Sequence, residues 1–142
     1  MSVFNDYFVD TIKYRYADFE GRARRSEYWY FALFYILIYF GIGIASGAIS
    51  SIAEELGVII LAITGIFILL MIIPNLALTV RRLHDTGKSG WFILIGIIPI
   101  VGSIILLVFL VSDSQPGTNM YGPNPKTLDQ SSTADHLIDD LA

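Results

Sequence analysis

The sequence predicts an all-α integral membrane protein: an N-terminal interfacial amphipathic helix, three transmembrane helices and a flexible acidic C-terminal tail. Three observations carry that expectation. Hydrophobic residues make up 54% of the 142 positions and charged ones 15%, against about 25% charged in soluble domains. Asp, Glu, Lys and Arg are absent from residues 28–53, 57–80 and 89–112. Crossing a hydrocarbon core about 30 Å thick takes ~20 residues at ~1.5 Å rise each, so all three runs are long enough. Finally, the basic residues cluster outside the runs, five before the first and three between the second and third, instead of spreading along the chain.

The length allows one domain. We expect a single membrane domain over residues 1–125, with the interfacial helix at 3–16 and spans near 28–52, 57–80 and 90–112, followed by a disordered tail at 126–142. The net charge of -4 says little about partners, because residues 112–142 hold five Asp against Lys126 alone. With no cysteine, disulfides, thiolate catalysis and Cys-type metal sites are excluded. No apolar core precedes Tyr28, so the first span is expected to do the targeting. No N-x-S/T acceptor occurs, which fits a bacterial membrane protein.

Residues 3–16 place Phe4, Tyr7, Phe8 and Ile12 on one helical face and Asp6, Asp10 and Lys13 on the other. The stretch is too short to span, and Arg15 interrupts its apolar face. It reads as a helix in the interface or packed on the protein's own loop. Gly21 then breaks the periodicity, Arg22, Arg24 and Arg25 follow, and Ser26 is a candidate N-cap for a helix opening at Glu27. Tyr28, Trp29 and Tyr30 suit an aromatic belt at the headgroups. Gly43 and Gly47 have the spacing that permits close helix contact.

Glu54 and Glu55 are the charged part of the first loop. In the second span Pro74 frees a backbone carbonyl and Asn75 brings an amide into apolar surroundings. A kink satisfied by a neighbouring element is the structural reading, and a substrate contact at a broken helix the functional one. The third span carries Pro99 and Gly102. After Ser112 the chain is turn-rich, and Leu137, Ile138 and Leu141 have the spacing of one turn of helix.

Counting Lys and Arg sets the orientation. The N-terminal segment has five and the 81–90 loop three, against none in the first loop and one in the tail. Three spans then put the N-terminus and the 81–90 loop in the cytoplasm and the C-terminus outside.

Two motifs in order, Asp18-Phe19-Glu20-Gly21-Arg22-Ala23-Arg24-Arg25-Ser26-Glu27-Tyr28-Trp29 and Arg81-Arg82-Leu83-His84-Asp85-Thr86-Gly87-Lys88-Ser89-Gly90-Trp91, together with Pro99 and Gly102, resemble the domain-of-unknown-function family 805. Asn119-x-Tyr121-Gly122-Pro123 is similar to that family's C-terminal N-x-[YF]-G-P ending, although the segment leading to it is short. The resemblance runs from about residue 16 to 125. It implies a small multi-pass protein of the bacterial inner membrane, of unestablished activity, and transfers no catalytic residue.

Thr86-Gly87-Lys88-Ser89 has the ending of a phosphate-binding loop, but Arg82 stands where that loop needs its first glycine and an apolar helix stands where it needs a strand. His84 and Asp85 lack a nucleophile pattern beside them, and His136 lies in the tail. No cofactor, metal site, enzymatic activity or nucleic-acid partner is expected. The basic clusters read in two ways. Arg22, Arg24, Arg25, Arg81, Arg82 and Lys88 form a contact for anionic lipid headgroups or a membrane partner, anchored by Trp29 and Trp91. Alternatively Arg22 or Arg81 pairs with Glu27 or Asp85 to hold helices in register. A transporter or channel subunit, with Pro74, Asn75 and Pro99 lining an oligomeric path, is the reading from another class. Three spans leave much surface uncovered, so a homo-oligomer or another membrane protein is an expected partner.

Overall fold

The computed structural model describes residues 2–127, and the predicted acidic tail beyond them, including His136, Leu137, Ile138 and Leu141, lies outside the described residues. Among those described there is no strand, only an isolated bridge between Asn119 and Gly122. The chain divides into two compact units: Met1–Asp18 with Trp29–Ala77, and Phe19–Tyr28 with Leu78–Ala142.

The first unit begins with helix α1, five residues of π-helix (Asn5–Val9) that continue as α-helix (Asp10–Tyr14). Its aromatic face does not stand apart. Phe8 stacks on Phe31 at 5.1 Å between ring centres, Tyr7 stacks on Tyr30 at 5.2 Å, and Phe4 meets Phe34 edge-on at 5.0 Å. The face expected in the interface is thus packed on helix α2 (Arg25–Ser50). Arg15, which interrupted that face in sequence, pairs with Asp18 at 3.2 Å.

Helix α2 opens at Arg25 and not at Glu27, so Ser26 sits inside the first turn while the Arg24 carbonyl accepts from the Tyr28 N–H. A turn at residues 51–53 leads to helix α3 (Glu54–Asp85). Glu54 and Glu55 belong to its first turn, where acidic side chains face the positive end of the helix dipole. Gly57 lies so close to Ser50 that a Cβ on it would meet the Ser50 Oγ at 1.8 Å. Gly43 and Gly47 touch nothing of this kind. Both α2 and α3 are long and apolar enough to cross a membrane.

Helix α3 runs on through Pro74. Proline has no N–H for the carbonyl four residues earlier, that of Leu70. The Tyr16 hydroxyl donates to that carbonyl, and the Asn75 amide donates to the carbonyl of Met71 at 2.7 Å.

Residues 90–112, expected as a third span, do not form one helix. A 3-10 helix (Gly90–Ile97) is followed by a reversal at 98–100 and helix α4 (Val101–Val111). The reversal is a γ-turn: the Val101 N–H donates to the Pro99 carbonyl at 2.7 Å, and Ile100 holds φ 64, ψ -68. The arms run back along each other. Phe92 meets Phe109 at 5.8 Å, and Gly102 approaches the Ile95 carbonyl so closely that a Cβ would stand 1.8 Å from its oxygen.

Because the chain doubles back, it leaves α4 where it left α3. The Ser112 carbonyl accepts from Arg82, and the Gln115 N–H donates to the Asp85 carbonyl at 2.8 Å. Residues 112–122 therefore pack on the end of α3 beside the 86–89 loop. Two helical arms and a reversal thus stand where one straight helix was expected.

Candidate functional site

The second unit is built around the place where helices α3 and α4 both end. Helix α3 stops in a Schellman motif: the Lys88 N–H donates to the Leu83 carbonyl at 2.9 Å and the Gly87 N–H to that of His84 at 3.0 Å. Gly87 takes φ +75, the left-handed conformation this cap requires. The Thr-Gly-Lys-Ser stretch is thus a helix C-terminus, which presents carbonyl oxygens and repels the phosphate that a helix N-terminus would attract. Ser89 then caps the 3-10 helix, its hydroxyl accepting from the Trp91 N–H at 3.4 Å.

Residues 19–24 lie against this helix end, with the Ala23 N–H donating to the Arg81 carbonyl at 3.0 Å. That contact delivers Arg22 into the centre. Its Nε donates to Asp85 Oδ1 at 3.0 Å. Nη1 donates to the carbonyls of Gly117 at 2.8 Å and Gly122 at 3.2 Å. Nη2 donates to the carbonyls of Gln115 at 2.6 Å and Asp85 at 3.4 Å. A guanidinium has five N–H donors, and all five are used.

Arg82 enters from α3 itself. It donates through Nε to the Leu110 carbonyl at 3.0 Å, through Nη1 to Asp85 Oδ2 and to the Ala23 carbonyl, and through Nη2 to the Ser112 carbonyl. It therefore caps the C-terminus of α4. Arg81 pairs with Glu27 at 2.7 Å. Arg81, Arg82 and Asp85 have no exposed surface, and Arg22 keeps 6%.

A strap of C-terminal residues closes the cluster. Ser114 donates its hydroxyl to Asp85 at 2.6 Å. The Asn119 amide donates to the His84 carbonyl at 2.9 Å, while its carbonyl oxygen accepts from the Tyr121 N–H. Tyr121 lies flat on the His84 ring, 3.7 Å between centres at 3°. His84 Nδ1 is 3.2 Å from the Gly21 carbonyl. Asp113 sits at the exposed edge, where a hydrogen bond from Lys126 and another from the Ser114 N–H hold its carboxyl below the usual carboxylate range.

The family model described as "Protein of unknown function (DUF805)" matches residues 16–123, a range that starts just before the first arginine motif and ends just after the strap. The chain belongs to the DUF805 family. It is similar to two proteins of Escherichia coli strain K12. Identity is 38% over 122 residues with inner membrane protein YhaH, covering 85% of this chain and 97% of the relative. With inner membrane protein YhaI it is 36% over 121 residues, covering 84% and 95%. No solved structure matches the chain.

In this DUF805 protein the six cations expected to share one contact part company. Arg22, Arg81 and Arg82 are interior; Arg22 and Arg82 donate to carbonyls and to the Asp85 carboxylate, and Arg81 pairs with Glu27. Arg25 is exposed, and Arg24 and Lys88 are half-buried. The Lys88 ammonium stands over the Phe109 ring at 4.5 Å. Trp91 is 78% exposed beside it, and Trp29, in the first unit, is 40% exposed. Glu27 and Asp85 are the acids that Arg81 and Arg22 meet. Sequence reasoning missed Tyr16, Gln115, Gly117 and Asn119 as partners. For Asn119 the N-x-Y-G-P stretch was the available signal. Gln115 and Gly117 act through backbone carbonyls, which side-chain identity does not reveal.

Proposed function

We propose that this protein is a non-enzymatic module of the bacterial inner membrane that binds anionic lipid headgroups through the outer cations of the second unit, Arg25 and Lys88, with Trp91 as the interfacial anchor. The inner-membrane setting comes from the names of the relatives and from the two apolar helices. One observation carries the binding assignment. Arg22 and Arg82 are spent on internal oxygens, whereas Arg25 is exposed, Lys88 is half-buried against the Phe109 ring, and Trp91, three residues beyond Lys88, is mostly exposed. Each Lys or Arg near an anionic leaflet contributes ~1 kcal/mol, and indoles prefer the headgroup region. The transporter alternative has less support, because the Pro74 break is filled by Tyr16 and the Asn75 amide is turned onto its own helix.

The test is native mass spectrometry of protein released from nanodiscs of mixed phosphatidylglycerol and phosphatidylcholine. The expected result is retained phosphatidylglycerol that falls severalfold in an Arg25→Gln/Lys88→Gln variant, while a Lys13→Gln control retains it. Equal retention of both lipids, or no change in the double variant, overturns the assignment. The same spectrum gives the oligomeric state, which the exposed faces of α2 and α3 lead us to place above the monomer.

A further inference from the structure

We infer that residues 90–111 enter one leaflet of the bilayer as a helical hairpin and return to the face they left, so that acyl chains of that single leaflet surround it. Residues 112–127 then stand on the same side as the 86–89 loop. This rests on the chain being a membrane protein and is independent of headgroup binding.

Arm length is the first argument. Eight residues of 3-10 helix rise roughly 16 Å at ~2.0 Å each, and the eleven residues of α4 rise roughly 16 Å at ~1.5 Å each. Half of a hydrocarbon core about 30 Å thick is roughly 15 Å. Each arm therefore reaches the midplane and neither crosses it.

The surface of the hairpin agrees. No charged residue occurs in it, and its reversal is apolar and exposed, with Ile97 at 76%, Ile98 at 55%, Ile100 at 76% and Val101 at 59%. In water such a tip would be a costly apolar patch. Irregular backbone is tolerated in hydrocarbon only when its polar groups are satisfied. Here Pro99 brings no N–H, and three of the four N–H groups between residues 98 and 102 donate internally: Ile98 to Ile95, Val101 to Pro99 and Gly102 to Ile98. The base is polar, with Lys88 and Trp91 at one foot and Ser112 held by Arg82 at the other.

Charge distribution is the independent argument. With three full spans, Lys126 is the one cation on the wrong side of an eight-to-one bias. With the hairpin, all nine Lys and Arg of the chain lie on one face, against none in the turn between α2 and α3.

The chain has no cysteine, so single-cysteine reporters need no background removed. Ile52→Cys in the α2–α3 turn, Met120→Cys in the strap and Ile100→Cys at the tip all alter exposed side chains. A membrane-impermeant maleimide added to spheroplasts is expected to label Ile52→Cys and spare Met120→Cys, and inverted vesicles are expected to reverse the pattern. A nitroxide on Ile100→Cys is expected to relax with oxygen and not with a water-soluble nickel chelate. Labelling of Ile52→Cys and Met120→Cys from the same side overturns the inference in favour of a full third span. Nickel relaxation at Ile100→Cys overturns it in favour of a hairpin outside the membrane. Ile52→Cys and Met120→Cys are each labelled in one of the two preparations under either topology, so a misfolded variant of either shows itself by labelling in both.

Discussion

Replacing Asp85 by asparagine isolates what the buried charge cluster contributes. The carboxylate accepts from Arg22 Nε on one oxygen and from Arg82 Nη1 and Ser114 Oγ on the other, with no exposed surface. Asparagine keeps the shape but removes the charge and turns one acceptor into a donor that faces donors. Removing one partner of a buried ion pair costs about 3–5 kcal/mol, because the other is left uncompensated. At roughly 1.4 kcal/mol per tenfold, the opening equilibrium of the second unit rises by roughly two to three and a half orders of magnitude. Two amides report it: Gln115 N–H, which donates to the Asp85 carbonyl, and Ala23 N–H, which donates to that of Arg81. Hydrogen exchange in nanodiscs is expected to accelerate at both. The Arg22→Met variant is expected to do the same, and the Asp85→Asn/Arg22→Met double variant to fall short of the sum by at least about 1 kcal/mol. Less than tenfold acceleration at both amides, or additivity of the two substitutions, refutes the claim that this cluster holds the strap.

Tyr16→Phe strands the Leu70 carbonyl and is expected to destabilise the first unit by about 1–3 kcal/mol in detergent melts. Adding Pro74→Ala supplies the missing N–H and is expected to return most of that loss. Gly87→Ala forces φ +75 on a residue with a Cβ, 2.4 Å from Gln115 Oε1, and is expected to cost at least about 1–2 kcal/mol and to raise protease cleavage between residues 112 and 122. For Asp113, whose folded pKa is depressed by Lys126, the associated stability is present above the ordinary carboxylate pKa and is lost as pH falls through the lowered one. An NMR titration is expected to show the carboxyl returning toward its ordinary value in Lys126→Gln.

Helices α2 and α3 were legible because uncharged runs of this length have few alternatives; α2 starts three residues earlier and stops two residues sooner than expected, and α3 extends beyond its apolar part at both ends. The third run forms two helical arms where one helix was expected, and the sequence could not separate the two for a physical reason. Twenty-two residues of continuous helix rise roughly 33 Å, so the length that fits a hairpin of two half-depth arms also fits one crossing. Pro99 was in view, but proline bends a helix more often than it reverses one, and the reversal needs the γ-turn at Ile100 and the gap that Gly102 leaves for the Ile95 carbonyl. Neither is visible in hydrophobicity. For the site, the sequence singled out Arg22, Arg81, Arg82, Glu27 and Asp85, which the structure joins in ion pairs. It could not show which cations are interior, because that depends on backbone carbonyls from residues 115–122 that reach Arg22 only through the doubling back of the chain.

The cluster holds three guanidinium groups and two carboxylates, a net charge of +1 with almost no access to water. An unbalanced buried charge would be prohibitive, yet the surroundings supply the balance. Helices α3 and α4 both direct their C-termini at the cluster, and each helix end carries roughly -0.5 of a charge on its unpaired carbonyls. Arg22 takes the Asp85 carbonyl at one end, and Arg82 takes those of Leu110 and Ser112 at the other. Two half charges and two carboxylates meet three cations. Lysine could supply the charge but not the geometry, because three donors on one nitrogen cannot reach four separate carbonyls and a carboxylate as Arg22 does. The hairpin and the arginines therefore explain one another. A third helix that left for the opposite face would take its C-terminal dipole and the strap with it, and the buried cations would be left without the oxygens that make their burial tolerable.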